Sequence, residues 1–209
     1  MKQVLSFLTL LAVAAFSVPC NAEIFLDYGT LDGGNRVIDL QADTAGQEIQ
    51  IFASGLLADG GANGFEIFVQ IGDGGAALGG SDTGPVITNR DLITGTIWEA
   101  NGPSQFDSDT GGDLLRTSTV DTTSLVTDDG LVATITLDTT GILASELVDF
   151  RLSGIAGGSF NSRFFNGATT LVTNAPNGML RINAVPEPGS AMVLAGLGLF
   201  GLGFRRRRG

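Results

Sequence analysis

The sequence predicts an all-β chain, folded as a single β-sandwich and followed by a short C-terminal transmembrane helix. Three observations point there. Glycine follows aspartate or asparagine at eight places, each a signal for a tight turn. Between these marks lie short runs in which apolar and polar residues alternate, the period of a strand with one wet face. The chain then ends in an apolar run closed by four arginines.

The two ends differ from the middle and are set aside before the fold is read. Residues 1–22 have the form of a secretory leader. Lys2 is the basic end, Val4–Val18 the apolar stretch, and Cys20-Asn21-Ala22 the small-residue site, with cleavage expected after Ala22. An uncleaved anchor and lipidation at Cys20 are the alternatives, and Pro19 sits where lipidation needs a small residue. The folding unit is residues 23–184, and residues 185–209 form the tail. A domain of that size buries roughly 70% of its unfolded surface, so it needs no staples. It has none: Cys20 is the only cysteine.

Within the unit, strands are expected near Ile24–Tyr28, Arg36–Gln41, Gln47–Ala53, Phe65–Ile71, Val86–Leu92, Gly95–Trp98, Leu131–Asp138, Val148–Gly154, Thr169–Thr173 and Met179–Asn183. Ile49 and Ile51 alternate with Glu48 and Gln50, and Ala133, Ile135 and Leu137 with Thr134, Thr136 and Asp138. In Phe65–Ile71 the run Ile67-Phe68-Val69 breaks the pattern, which fits burial on both faces or a bulge. The turn marks are Asp32-Gly33, Asp59-Gly60, Asn63-Gly64, Asp73-Gly74, Asn101-Gly102, Asp129-Gly130, Asn166-Gly167 and Asn177-Gly178. Asp128 and Asp129 read as hairpin residues. Gly141–Val148 suits one helical turn or an edge-packing loop, and the polar Glu99–Asp113 a long mobile loop.

Charge and composition narrow the function. The middle carries six arginines and no lysine, whereas all 22 acidic residues fall between Glu23 and Glu187. Such a surface repels phosphate backbones, so nucleic acid is not expected as a partner. Histidine is absent and Cys20 leaves with the leader, which excludes Ser-His-Asp and Cys-His catalysis and ordinary zinc sites. Paired carboxylates for glycoside hydrolysis remain, yet Trp98 and Tyr28 are the only aromatic platforms besides the phenylalanines. The chain is therefore not expected to be an enzyme. Calcium is the one ligand with a motif: Asp107, Asp109 and Asp113, with Gly111 between, start like an oxygen-rich calcium loop. The twelfth position is Ser118, where a bidentate glutamate is wanted.

The tail is the most specific signal. Pro186 and Pro188 disfavour helix and ladder pairing and leave the segment extended. Gly189–Phe204 is apolar, and as a helix it is about 24 Å long, short of the hydrocarbon core at about 30 Å. Arg205, Arg206, Arg207 and Arg208 hold its far end in the cytoplasm. This order of Pro-Glu-Pro, short apolar helix and arginine cluster resembles the PEP-CTERM sorting signal of Gram-negative bacteria. The resemblance implies that an exosortase, a membrane transpeptidase-like enzyme, reads Pro186, Glu187 and Pro188, removes the helix and passes the domain outward. It also implies transient inner-membrane anchoring, then a place at the cell surface or in an extracellular, biofilm-like matrix.

The middle has a fainter likeness. Gln47–Ala53, Asn63-Gly64-Phe65 leading into Phe65–Ile71, then Leu131–Asp138 and Val148–Gly154, are similar to the cohesin-type β-sandwich. A cohesin-like or jelly-roll-like sandwich is the fold this implies. Cohesins bind a calcium-loaded dockerin, but no contact residue here can be matched to that role. The expected function is a structural, adhesive or binding module that meets extracellular polysaccharide or a matrix protein. The alternative is a calcium-dependent carbohydrate-binding module.

Overall fold

Residues 23–81, 84–111, 114–158 and 160–185 are described by the structure, a computed structural model, and most of their regular elements are strands. The expected leader, and the tail from Pro186, lie outside the described residues. In chain order the strands are β1 (Ile24–Asp27), β2 (Thr30–Asp32), β3 (Asn35–Gln41), β4 (Gln47–Ser54), β5 (Ala62–Ile71), β6 (Val86–Asp91) and β7 (Ser104–Gly111). They continue as β8 (Leu114–Val126), β9 (Gly130–Asp138), β10 (Leu147–Arg151), β11 (Arg163–Asn166), β12 (Thr169–Thr170), β13 (Thr173–Asn174) and β14 (Gly178–Asn183). One helical turn covers Ile155–Gly158, and 3-10 turns cover Gly75–Leu78 and Glu99–Asn101.

Two sheets form a sandwich. The smaller has the order β13-β1-β4-β9-β6; the larger runs β12-β11-β5-β10-β14-β3-β2, with β8 and then β7 added on the other flank of β5. The alternation read in β4 and β9 sets their register: Ile49 lies opposite Ile135 and Ile51 opposite Ala133, all buried, while Glu48 and Gln50 face water. Facing them across the sandwich are Phe65, Ile67, Val69 and Ile71 of β5, with Phe150, Leu180 and Ile182. The β2–β3 hairpin turns through Gly33 and Gly34, at φ 58° and 88°, a pair of left-handed residues that glycine adopts without steric cost.

β5 is buried on both faces and also bulged, with register shifts between Ala62 and Gly64 and between Ile67 and Val69. Its outer-face Phe68 is covered by Leu78, Ile155 and the stacked ring of Phe160. Along its other edge, β11 pairs with Gly64–Glu66 and β10 with Gln70–Ile71, which leaves Phe68 without a strand neighbour. The Ser162 hydroxyl fills that gap. It accepts from Phe68 N at 3.0 Å and donates to Phe68 O at 3.1 Å. Ser162→Ala strands both groups in a buried place and is expected to cost about 1–3 kcal/mol in a urea titration. A loss within error would show that water replaces the hydroxyl.

Three exposed or nearly exposed turn carboxylates are locked to the backbone. Asp73 accepts from Ser81 N and Gly75 N, and Asp138 from the hydroxyl and N–H of Thr140; both are held below the usual carboxylate range. At Asp91 burial pushes upward, but bonds from Thr94 and Ile93 outweigh it and the carboxyl is lowered. Because the folded values lie below that of an unfolded aspartate, about 3.9, the stabilisation is complete above that pH and is lost as pH falls through the folded values. Thermal melts are expected to be flat from about pH 7 to 5 and to drop below about pH 4. A drop that begins near neutrality would contradict this.

Several expectations are corrected. Gly95–Trp98 is a turn, not a strand: Gly95 has φ 70°, and the Thr96 hydroxyl lies 2.8 Å from Ile93 O and 3.0 Å from Leu92 O. Glu99–Asp113 is not a free loop, because Ser104–Gly111 pairs with β8 as a regular strand. Asn63-Gly64 lies inside β5 at a bulge, and Gly178 begins β14. Thr169–Thr173 is broken into β12 and β13. Of the two readings of Gly141–Val148, a helical turn or a loop, the stretch is a loop that runs into β10. Asp129 lies where the chain crosses between sheets, and its carboxylate accepts from Leu56 N at 3.1 Å instead of closing a hairpin.

Candidate binding face and sorting tail

The outer face of the larger sheet brings together residues from five strands. Pairing places Phe106 of β7, Thr119 of β8, Glu66 of β5 and Arg163 of β11 in one row across the sheet. The next row is Ser104, Asp121, Gly64, Phe165 and Thr170. Phe106 is 61% exposed although it lies in a well-paired strand. Arg163 Nε meets Glu66 Oε2 at 2.6 Å, and its guanidinium lies 5.2 Å from the centroid of the Phe165 ring. A Cβ on Gly64 would stand 2.9 Å from Asp121 Oδ1 and 3.5 Å from the Phe165 ring, so glycine lets these two side chains close over the strand.

This is a broad, open face with an exposed aromatic, an oriented arginine and surrounding hydroxyls. Those are the groups by which proteins dock on one another, aromatic and arginine anchors inside a polar rim. A cleft of about 530 Å³ is lined by Gly72, Asp73, Ser81, Gly84, Glu146 and Asp149 and lacks any aromatic wall.

The expected sugar platforms are elsewhere. Trp98 is fully buried with Nε1 donating to Val132 O at 3.2 Å, and it stacks on Phe65. Tyr28 is buried with its hydroxyl donating to Pro176 O at 2.9 Å, and burial pushes its phenol well above the ordinary value. Both are core residues because each has one polar atom and a carbonyl within reach to satisfy it. Of the calcium candidates, Asp107 and Asp109 lie in β7, whose ladder runs through Gly111; Asp113 lies outside the described residues. Among the described residues no three acidic, histidine or cysteine side chains gather as a metal cluster, and no helix is long and apolar enough to cross a membrane. Ala22, Pro186, Glu187, Pro188 and Arg205–Arg208 lie outside the described residues.

The last strand ends at Asn183, whose carbonyl accepts from Ala42 N at 2.8 Å. A family model described as the PEP-CTERM protein-sorting motif matches residues 184–208, so it begins at the next residue. No curated protein matches the chain. Solved structures do. The third cohesin of ScaC from Acetivibrio cellulolyticus, solved in complex with the ScaB dockerin, is 12% identical with a TM-score of 0.51, covering 77% of this chain and 99% of that one. CaCohA2 from Clostridium acetobutylicum is 10% identical with a TM-score of 0.50, covering 78% and 92%. The cohesin module of a family 33 glycoside hydrolase from Clostridium perfringens is 11% identical with a TM-score of 0.50, covering 78% and 99%. At such identities the likeness concerns the fold. The chain carries a PEP-CTERM sorting motif at residues 184–208, behind an all-β sandwich that shares the fold of cohesin modules.

Proposed function

We propose that this protein is exported, held briefly in the inner membrane by its tail, and released by an exosortase to the cell surface or extracellular matrix. There its sandwich acts as a structural or adhesive module that binds a protein partner through the outer face of the larger sheet. The observation that carries the sorting half is the motif match starting at Ala184, directly behind the last strand. The binding half is supported by the exposed Phe106 beside the Arg163–Glu66 pair, and by a fold shared with a cohesin solved on its dockerin.

The test uses the purified domain and the matrix fraction of the producing cells. Phe106→Asp is expected to lower retention about tenfold or more while leaving the melting temperature within a degree or two, as for an anchor at the centre of an interface. Unchanged retention would remove this face from the reading. A glycan array run with and without calcium examines the carbohydrate alternative, and binding there would favour it. Calcium at Asp107, Asp109 and Asp113 enters only through that comparison, where a calcium-induced rise in melting temperature supports a bound ion.

A further inference from the structure

The sorting motif abuts the fold with no spacer, and that has a steric consequence. Asn183 is tied into the fold, its carbonyl accepting from Ala42 N at 2.8 Å, and beside it Ile182 N donates to Glu146 O at 3.0 Å and Ser145 N to Ile182 O at 2.8 Å. Only Ala184 and Val185 separate it from Pro186, and five residues separate it from the apolar run. Even fully extended, those five reach about 17 Å, and the two reach about 7 Å. An enzyme that grips Pro186-Glu187-Pro188 in a walled cleft is wider than that gap.

We infer that the enzyme reading the motif also docks on the end of the sandwich where the chain leaves it, the surface of Asp43, Leu143 and Glu146. This rests on the sorting role proposed above. Two loops build the surface, 42–46 and 139–146, and they are braced. Gly141 N donates to Asp43 Oδ1 at 3.0 Å. The buried Thr139 hydroxyl lies 2.6 Å from Gln41 O and 2.8 Å from Thr44 O, and accepts from Thr44 N. Asp43 and Ser145, at φ 48° and 77°, are the non-glycine residues with positive φ among the described residues, and both belong to these loops. Leu143 is 74% exposed at the tip. Neither loop holds a lysine or arginine. The chemistry fits a partner surface with a basic rim and an apolar recess, and it disfavours the surface of an anionic bilayer.

Tail removal from the full chain is followed in producing cells for Leu143→Ser and for Asp43→Asn with Glu146→Gln. Each is made with the native linker and with ten glycine and serine residues inserted between Val185 and Pro186. With the native linker, the combined substitutions are expected to slow processing about tenfold, the loss of one or two anchor contacts. With the spacer they are expected to have no effect, since the enzyme no longer meets the domain. Equal rates with the native linker, or equal slowing in both linkers, overturn the inference while leaving sorting intact. A wild-type chain that keeps its tail overturns the sorting role and this inference together.

Discussion

Phe65→Ala is expected to destabilise the domain by about 3–5 kcal/mol, the range for removing a buried aromatic ring. Phe65 is fully buried in the middle of β5, with its ring 6.3 Å from Trp98 and 4.5 Å from Phe164, which themselves lie 6.1 Å apart. The three rings join β5, β11 and the turn before Glu99, so one truncation opens a cavity that three separate segments border. Domains of this size are stable by about 5–15 kcal/mol, so the loss takes a large share of the total. Trp98 is the only tryptophan and reports the change directly. A urea titration followed by its fluorescence should show an earlier midpoint. A loss under about 1 kcal/mol would mean that the neighbours collapse into the space.

Replacing Pro186, Glu187 and Pro188 with alanine is expected to have the largest effect on fate. The full-length chain should accumulate in the membrane fraction, while wild-type material recovered outside the cell is expected to lack residues 189–209 by mass. Proline disfavours helix and ladder pairing, and Glu187 between Pro186 and Pro188 carries the only charge of that triplet. Alanine favours helix where proline breaks it, so on the proposed sorting role the triple variant is expected to hide the peptide bonds that a transpeptidase would need. Normal release of the triple variant would show that these residues are not what the enzyme reads.

The tail was legible because its signal is one of order: prolines, apolar run and arginines follow one another along the chain. The smaller sheet was legible for a similar local reason, since Ile49, Ile51, Ile135 and Leu137 alternate with polar neighbours. The candidate face was not. Three of its strands, β7, β8 and β11, were absent from the sequence expectations. β8 reads Thr117-Ser118-Thr119-Val120-Asp121-Thr122-Thr123-Ser124, and its buried positions include Ser118 and Thr122. Their hydroxyls can bond within the fold, as Thr122 does to Asn63 O at 3.2 Å, so no apolar period marks the strand. β11 has four residues, too few for a period, and β7 lies in the stretch whose glycine, serine and aspartate content suggests a loop. Trp98, weighed from the sequence only as a candidate sugar platform, fills the core instead.

The position of β14 bears on how the domain carries a mechanical load. It is paired from Gly178 to Asn183 with β3 on one side and from Gly178 to Arg181 with β10 on the other, and it is the last strand before the motif. Tension arriving through the carboxyl end therefore pulls the strand lengthwise between two neighbours. Its rungs must give way nearly together instead of opening singly from one margin, so a domain loaded from that end resists in shear along two ladders at once.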